Sequence, residues 1–106
     1  MLAYHIAAPE DASAILADGF RDNTGSFMTL GEHTGVWISD RPLVSLSPWD
    51  AEVLACFEID VPDDLFARYE WVEEAKGYRE SLVPAAQLNV LPRRRLSFDE
   101  LAELPW

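Results

Sequence analysis

From Val53 to Val61 the chain alternates without a break. Val53, Ala55, Phe57, Ile59 and Val61 interleave with Leu54, Cys56, Glu58 and Asp60. Successive strand side chains point to opposite faces, so this period of two marks a β-strand and is incompatible with a helical stripe. One face of that strand is apolar throughout. The other turns from apolar to acidic along its length, as if the strand emerged from cover. A chain built around such a strand must form a sheet with a core on at least one side. At 106 residues it can enclose one modest core, so residues 1–106 are read as a single domain. Hydrophobic residues make up 49% of the sequence, enough to exclude a disordered chain.

Other elements fall around this strand. Leu2 to Ile6 reads as a first strand, with Leu2, Tyr4 and Ile6 on one face and Ala3 and His5 on the other. Pro9-Glu10-Asp11 opens a helix, because proline fits the first turn and acids complement its positive end. Ala12, Ile15 and Leu16 form its apolar stripe, Gly19 ends it, and Phe20 is expected to pack back under it. Arg21 to Thr34 reads as a loop with a brief strand at Phe27 to Leu30. Val36 to Ile38 is a short strand, and Leu43 to Asp50 is irregular. Pro62-Asp63-Asp64 starts a helical turn, and Tyr69 to Val72 and Tyr78 to Val83 read as strands. Pro84 to Leu88 fits one helical turn, Asn89 to Leu91 a last strand, and Phe98 to Leu104 a final short helix. The expected class is α+β, with two short sheets of mixed and antiparallel strands and one early helix.

Charge narrows the partners. Nineteen acids against eight Lys and Arg give a net charge of −11. Such a field repels phosphate backbones and anionic lipid, so nucleic acid and membrane are not expected as partners, whereas a basic protein is compatible. Cys56 is the single cysteine, so no intrachain disulfide can form and a cytoplasmic location is expected. Met1-Leu2-Ala3-Tyr4-His5 lacks the basic start and apolar run of a secretion signal. No Cys/His spacing or acidic loop pattern suggests a metal.

Three segments carry candidate chemistry. Glu32-His33-Thr34-Gly35-Val36-Trp37-Ile38-Ser39-Asp40-Arg41-Pro42 runs a strand into a polar turn. Trp37 beside an Asp/Arg turn suits a planar ligand with a charged tail; the structural alternative is a core indole followed by a solvated turn. His5 lies on the first strand, and His33 in a loop beside Glu32. Glu80, within Gly77-Tyr78-Arg79-Glu80-Ser81-Leu82-Val83-Pro84, shares a strand face with Tyr78 and Leu82. An acid on an apolar face is costly unless paired or functional; the alternative is an edge-strand Glu paired with Arg79 or Lys76. Arg93-Arg94-Arg95 reads as a local counterweight to the acidic surface.

Taken together these segments resemble the ADP-ribosyltransferase-like fold, in its diphtheria-toxin and poly-ADP-ribose-polymerase branch. That branch carries a His on the first strand, an aromatic on a later strand and a late catalytic Glu; His5, Trp37 and Glu80 match in order. The resemblance spans residues 4 to 89 through short motifs. It implies NAD, as substrate, bound in a cleft between two small sheets. His5 would hydrogen-bond the adenosine ribose, Trp37 would stack on nicotinamide with Trp49 as a second wall, and Glu80 would stabilise the cation formed as nicotinamide leaves. Tyr78 stands two residues before Glu80, where arginine-modifying relatives carry an acid, so arginine is not the expected acceptor. The rival expectation is a non-enzymatic module using its acidic face on a basic partner.

Overall fold

The computed structural model describes residues 1–25, 31–43, 54–72 and 77–103. In chain order these form β1 (Leu2–Ala7), a 3₁₀ turn (Pro9–Asp11), α1 (Ala12–Asp18), β2 (Asn23–Gly25) and β3 (His33–Ser39). β4 (Ala55–Asp60), α2 (Asp63–Arg68), β5 (Glu70–Trp71) and β6 (Glu80–Val83) follow, then α3 (Ala85–Leu88), β7 (Arg93–Arg95) and α4 (Phe98–Glu103). The class is α+β. The radius of gyration, 13.3 Å, is the ~13 Å expected of a compact domain this long.

The strands of the described residues form one seven-stranded sheet, not two. Its order is β5-β6-β3-β1-β4-β7, with β2 also paired to β3. Every recorded pairing is antiparallel, so the expected mixture of parallel and antiparallel strands is corrected as well. The reason lies in β3. It begins at His33, earlier than its apolar run suggests, and its length lets it serve several partners. It pairs with β6 along Val36–Ser39, with β2 along His33–Gly35, and with β1 at Tyr4↔Ser39. β1 in turn pairs with β4 from Leu2↔Asp60 to Ala7↔Ala55. The join between β1 and β3 is thus a single register pair among the described residues, a narrow seam in an otherwise continuous sheet.

Opposed residues in an antiparallel ladder share a face. One face therefore carries Ala3, Ala7, Val36, Ile38, Phe57, Ile59 and Val83, and it packs against Ile15 of α1, Phe20, Phe66 of α2 and Leu88 of α3. Phe57, Ile59, Phe66 and Leu88 are fully buried, each such side chain contributing about 1.5–3 kcal/mol. The opposite face carries Tyr4 and Cys56, covered by Leu96 and, from α4, Leu101. This second cover ends along β4: Cys56 is buried, Glu58 half-buried beside Arg94, and Asp60 exposed. The acidic drift along that strand matches where its cover stops.

Several local expectations are corrected. Leu16 of the predicted α1 stripe is 50% exposed, because the seven-residue helix buries Ala12 and Ile15 alone. The strand expected at Asn89–Leu91 lies instead at Arg93–Arg95, opposite Phe57, Glu58 and Ile59 of β4. Asn89 caps α3 and its amide grips the backbone of Phe20: Phe20 N–H donates to Asn89 Oδ1 at 2.7 Å, and Asn89 Nδ2 donates to Phe20 O at 2.9 Å. Gly19 makes room for this amide. Its φ is +90°, and a Cβ there would fall 2.6 Å from Asn89 Oδ1. The strand expected at Phe27 to Leu30 lies outside the described residues, as does Val53 at the start of the alternating run. Among the described residues no helix is long and apolar enough to cross a membrane.

Candidate functional site

Trp37 and Glu80 come together on one face. Trp37 lies opposite Leu82 and Ser39 opposite Glu80, so Trp37 and Glu80 are diagonal neighbours on adjacent strands. Such diagonal pairs lie roughly 7–8 Å apart, within reach of large side chains. Both are half-buried. Trp71 on β5 stands directly opposite Glu80. Its ring meets Trp37 edge-to-face at 5.2 Å and 74°, and meets His33 at 4.9 Å and 87°. His33 thus sits on β3 as part of an aromatic row rather than in a solvated loop. Leu82, 5% exposed, belongs to the same face. It lies over Gly35, where a Cβ would fall 2.9 Å from Leu82 Cγ. A cavity of about 420 Å³ runs along His33, Tyr69, Glu70, Trp71 and Leu82.

The polar turn after β3 has a structural task. Asp40 N–H donates to Arg79 O at 3.0 Å, and Arg79 N–H donates to Asp40 Oδ1 at 3.0 Å. The Arg79 guanidinium donates through Nε to Glu70 Oε2 at 2.9 Å and through Nη2 to Glu70 Oε1 at 2.8 Å, and lies 4.9 Å from the Phe66 ring centre. The two-pronged bond lowers the Glu70 pKa from its ordinary value and raises that of Arg79. Asp40, in the turn read as suiting a charged ligand tail or as solvated, therefore locks β3 to β6 one residue before Glu80. Arg79, offered with Lys76 as a partner for Glu80 in the alternative reading, pairs with Glu70, and Lys76 lies outside the described residues.

His5 is placed differently. It neighbours Tyr4 on β1, and Tyr4 shares its face with Ser39, Trp37 and Glu80. By the strand period His5 points to the other face, where its ring lies 5.3 Å from Phe20, edge-on. Its Nδ1 is 2.7 Å from Trp37 O, across the seam between β1 and β3. A carbonyl oxygen only accepts, so Nδ1 carries the proton and Nε2 is left to meet a ligand. Burial lowers the His5 pKa, and the bond to Trp37 offsets part of that. The ring is therefore neutral near pH 7. A cavity of about 370 Å³ adjoins it, lined also by Ile15, Phe20, Arg21 and Asn23. His5 thus touches Trp37 through the backbone, while its ring lies on the sheet face opposite the Trp37–Glu80 pair.

Trp49 lies outside the described residues. Sequence reasoning passed over Trp71, although the alternation of Tyr69 to Val72 had marked a strand. The missing information was the β5–β6 register that sets Trp71 beside Glu80. Among the described residues no group of His, Cys, Asp and Glu could hold a metal ion. Compared with protein-family models, with curated proteins and with solved structures, the chain matches none.

Proposed function

We propose that this chain binds NAD and cleaves its nicotinamide–ribose bond, passing ADP-ribose to water or an acceptor. The observation that carries the reading is the pairing of Trp37 with Glu80 on one sheet face, on adjacent strands. Their residue types suit the reaction. Indole stacks well on a planar cationic ring. As the C1′–N1 bond breaks, nicotinamide leaves with the electron pair and positive charge develops on the ribose; a fixed carboxylate stabilises that charge. The acceptor then bonds to C1′ and loses its proton. In this reading Glu80 is the catalytic carboxylate and Trp37 the ring platform, and His5, whose ring lies on the other face of the sheet, holds the Trp37 backbone through the 2.7 Å contact of Nδ1 with Trp37 O.

A second reading has its own observation. Because the His5 ring turns to the face away from Glu80, the same chain also suits a non-enzymatic role. In that role its net charge of −11 would serve a basic protein partner.

Nicotinamide release from NAD, measured beside calorimetric NAD binding, separates the two. Glu80→Gln keeps size and loses charge, so turnover should fall about 10²–10³-fold with little change in NAD affinity. Trp37→Ala should weaken NAD binding first. A Glu80→Gln protein as active as the parent rules Glu80 out as the catalytic carboxylate. A parent that releases no nicotinamide, yet captures a basic protein in a salt-sensitive way, favours the second reading.

A further inference from the structure

β7 is the last strand of the sheet, with β4 on one side and no strand on the other among the described residues. One contact fixes its hydrogen-bond phase. Leu96 N–H donates to Cys56 O at 2.8 Å, and in an antiparallel ladder bonded pairs alternate with unbonded ones. Arg94 and Glu58 are therefore the next bonded pair. The backbone N–H and C=O groups of Arg93 and Arg95 point away from β4, and no hydrogen bond holds them among the described residues. The side chains repeat this division. Arg94, on the face with Glu58, is held by Glu58 and Glu100. Arg93 and Arg95 project to the other face and make no ion pair among the described residues. Arg93 Nε is the one buried side-chain polar atom there without a hydrogen-bond partner, and its guanidinium lies 5.8 Å from the Phe20 ring centre. The open edge ends at Ser97, whose N–H donates to Glu100 Oε1 at 3.0 Å. Unpaired cations and unpaired backbone groups thus coincide at Arg93 and Arg95, in a chain whose net charge is −11.

We propose that the outer edge of β7 docks an acidic, extended segment of a partner protein, which joins the sheet antiparallel with carboxylates at alternate positions opposite Arg93 and Arg95. An open edge is a template for strand addition. Main-chain hydrogen bonds give the pairing, and cross-strand ion pairs select the partner. A second copy of this chain does not fit. β7 against β7 would oppose arginine to arginine, and Glu70 of β5, the opposite edge, is already bound by Arg79. The acidic surface elsewhere repels such a segment, which leaves this edge as the surface that accepts it. Docking here is independent of the NAD-cleaving reading.

The test uses the full chain and an end-capped peptide that alternates glutamate with threonine. In the free protein the Arg94 amide should exchange with deuterium slowly, and those of Arg93 and Arg95 fast. Millimolar peptide should slow exchange at Arg93 and Arg95 and shift both amide resonances. Glutamine in place of every glutamate should weaken binding about tenfold, and Arg95→Gln should weaken it about threefold. N-methylation of the glutamate amides, which face β7 in this register, should abolish binding; N-methylation of the threonine amides should not. Arg95→Pro removes an outward N–H that β4 does not use, so the fold should persist while binding is lost. The methylated peptides decide the matter should that variant fold poorly. Peptide that leaves Arg93 and Arg95 exchange unchanged overturns the proposal. Equal affinity of the glutamine peptide overturns it, as does binding that survives methylation of the glutamate amides. Slow exchange at both residues in the free chain, with a concentration-dependent dimer, assigns the edge to a second copy and overturns it too.

Discussion

Asn89 offers the sharpest test of how this fold is held. Its amide satisfies both backbone groups of Phe20, the N–H at 2.7 Å and the C=O at 2.9 Å. Phe20 is 3% exposed and supports both His5 and Phe57 edge-on, at 5.3 and 5.8 Å. Removing the amide deletes two neutral hydrogen bonds, about 1 kcal/mol each, and leaves two backbone groups unpaired in poorly hydrated surroundings. Asn89→Leu, which preserves bulk, should therefore cost about 2 kcal/mol, rising toward ~4 if water cannot reach the orphaned groups. For a domain of this size that lowers the melting temperature on the order of 10 °C. Urea unfolding should show a lower midpoint with an unchanged slope, since the buried area is the same. Asn89→Ala should behave similarly if the hydrogen bonds, and not the volume, dominate. A loss below about 0.5 kcal/mol in Asn89→Leu would refute this account, because it would mean that solvent replaces the amide at no cost.

Two further outcomes follow from buried titratable groups. Burial depresses the His5 pKa, so the unfolded chain binds a proton more readily than the native one below the ordinary histidine value of about 6.5. The stability contributed by neutral His5 is complete above that value and is lost as pH falls from there toward the depressed native pKa. His5→Asn, whose amide can still donate to Trp37 O, should flatten the decline between about pH 7 and 5 in chemical-denaturation curves; an unchanged slope would assign it to other groups. Cys56 is fully buried and its thiol is pushed up to about 12, first by burial and then by the Glu58 charge. It should ignore a disulfide reagent at pH 8 in the native state and react on unfolding, so rapid native labelling would contradict the packing of α4 over β4.

Much of the local structure was legible because local rules write it. The alternating Ala55–Asp60 run, the Pro9–Asp11 entry into α1, the Gly19 stop and the prolines before α2 and α3 all act within a few residues of themselves. The same rules located Trp37 and Glu80 on strands. At Arg93–Arg95 the reading as a local counterweight agrees with Glu58 and Glu100 holding Arg94, but it missed that these residues also pair with β4 as a strand. Asn89 failed as a strand for the converse reason: its partner, Phe20, lies 69 positions away.

The sequence determined which residues of each strand share a face, since a period of two is fixed by backbone geometry. It could not determine which faces meet, because that depends on register between segments tens of residues apart. Among the described residues one pair, Tyr4↔Ser39, joins the two halves of the sheet and sets parity across the seam. By that parity Trp37 and Glu80 share a face, Trp71 joins them through Trp71↔Glu80, and His5 turns toward Phe20. A shift of one residue at that seam would send His5 to the other face while leaving every local propensity intact. Only the long-range hydrogen-bonding and the burial of both sheet faces select this register over that one.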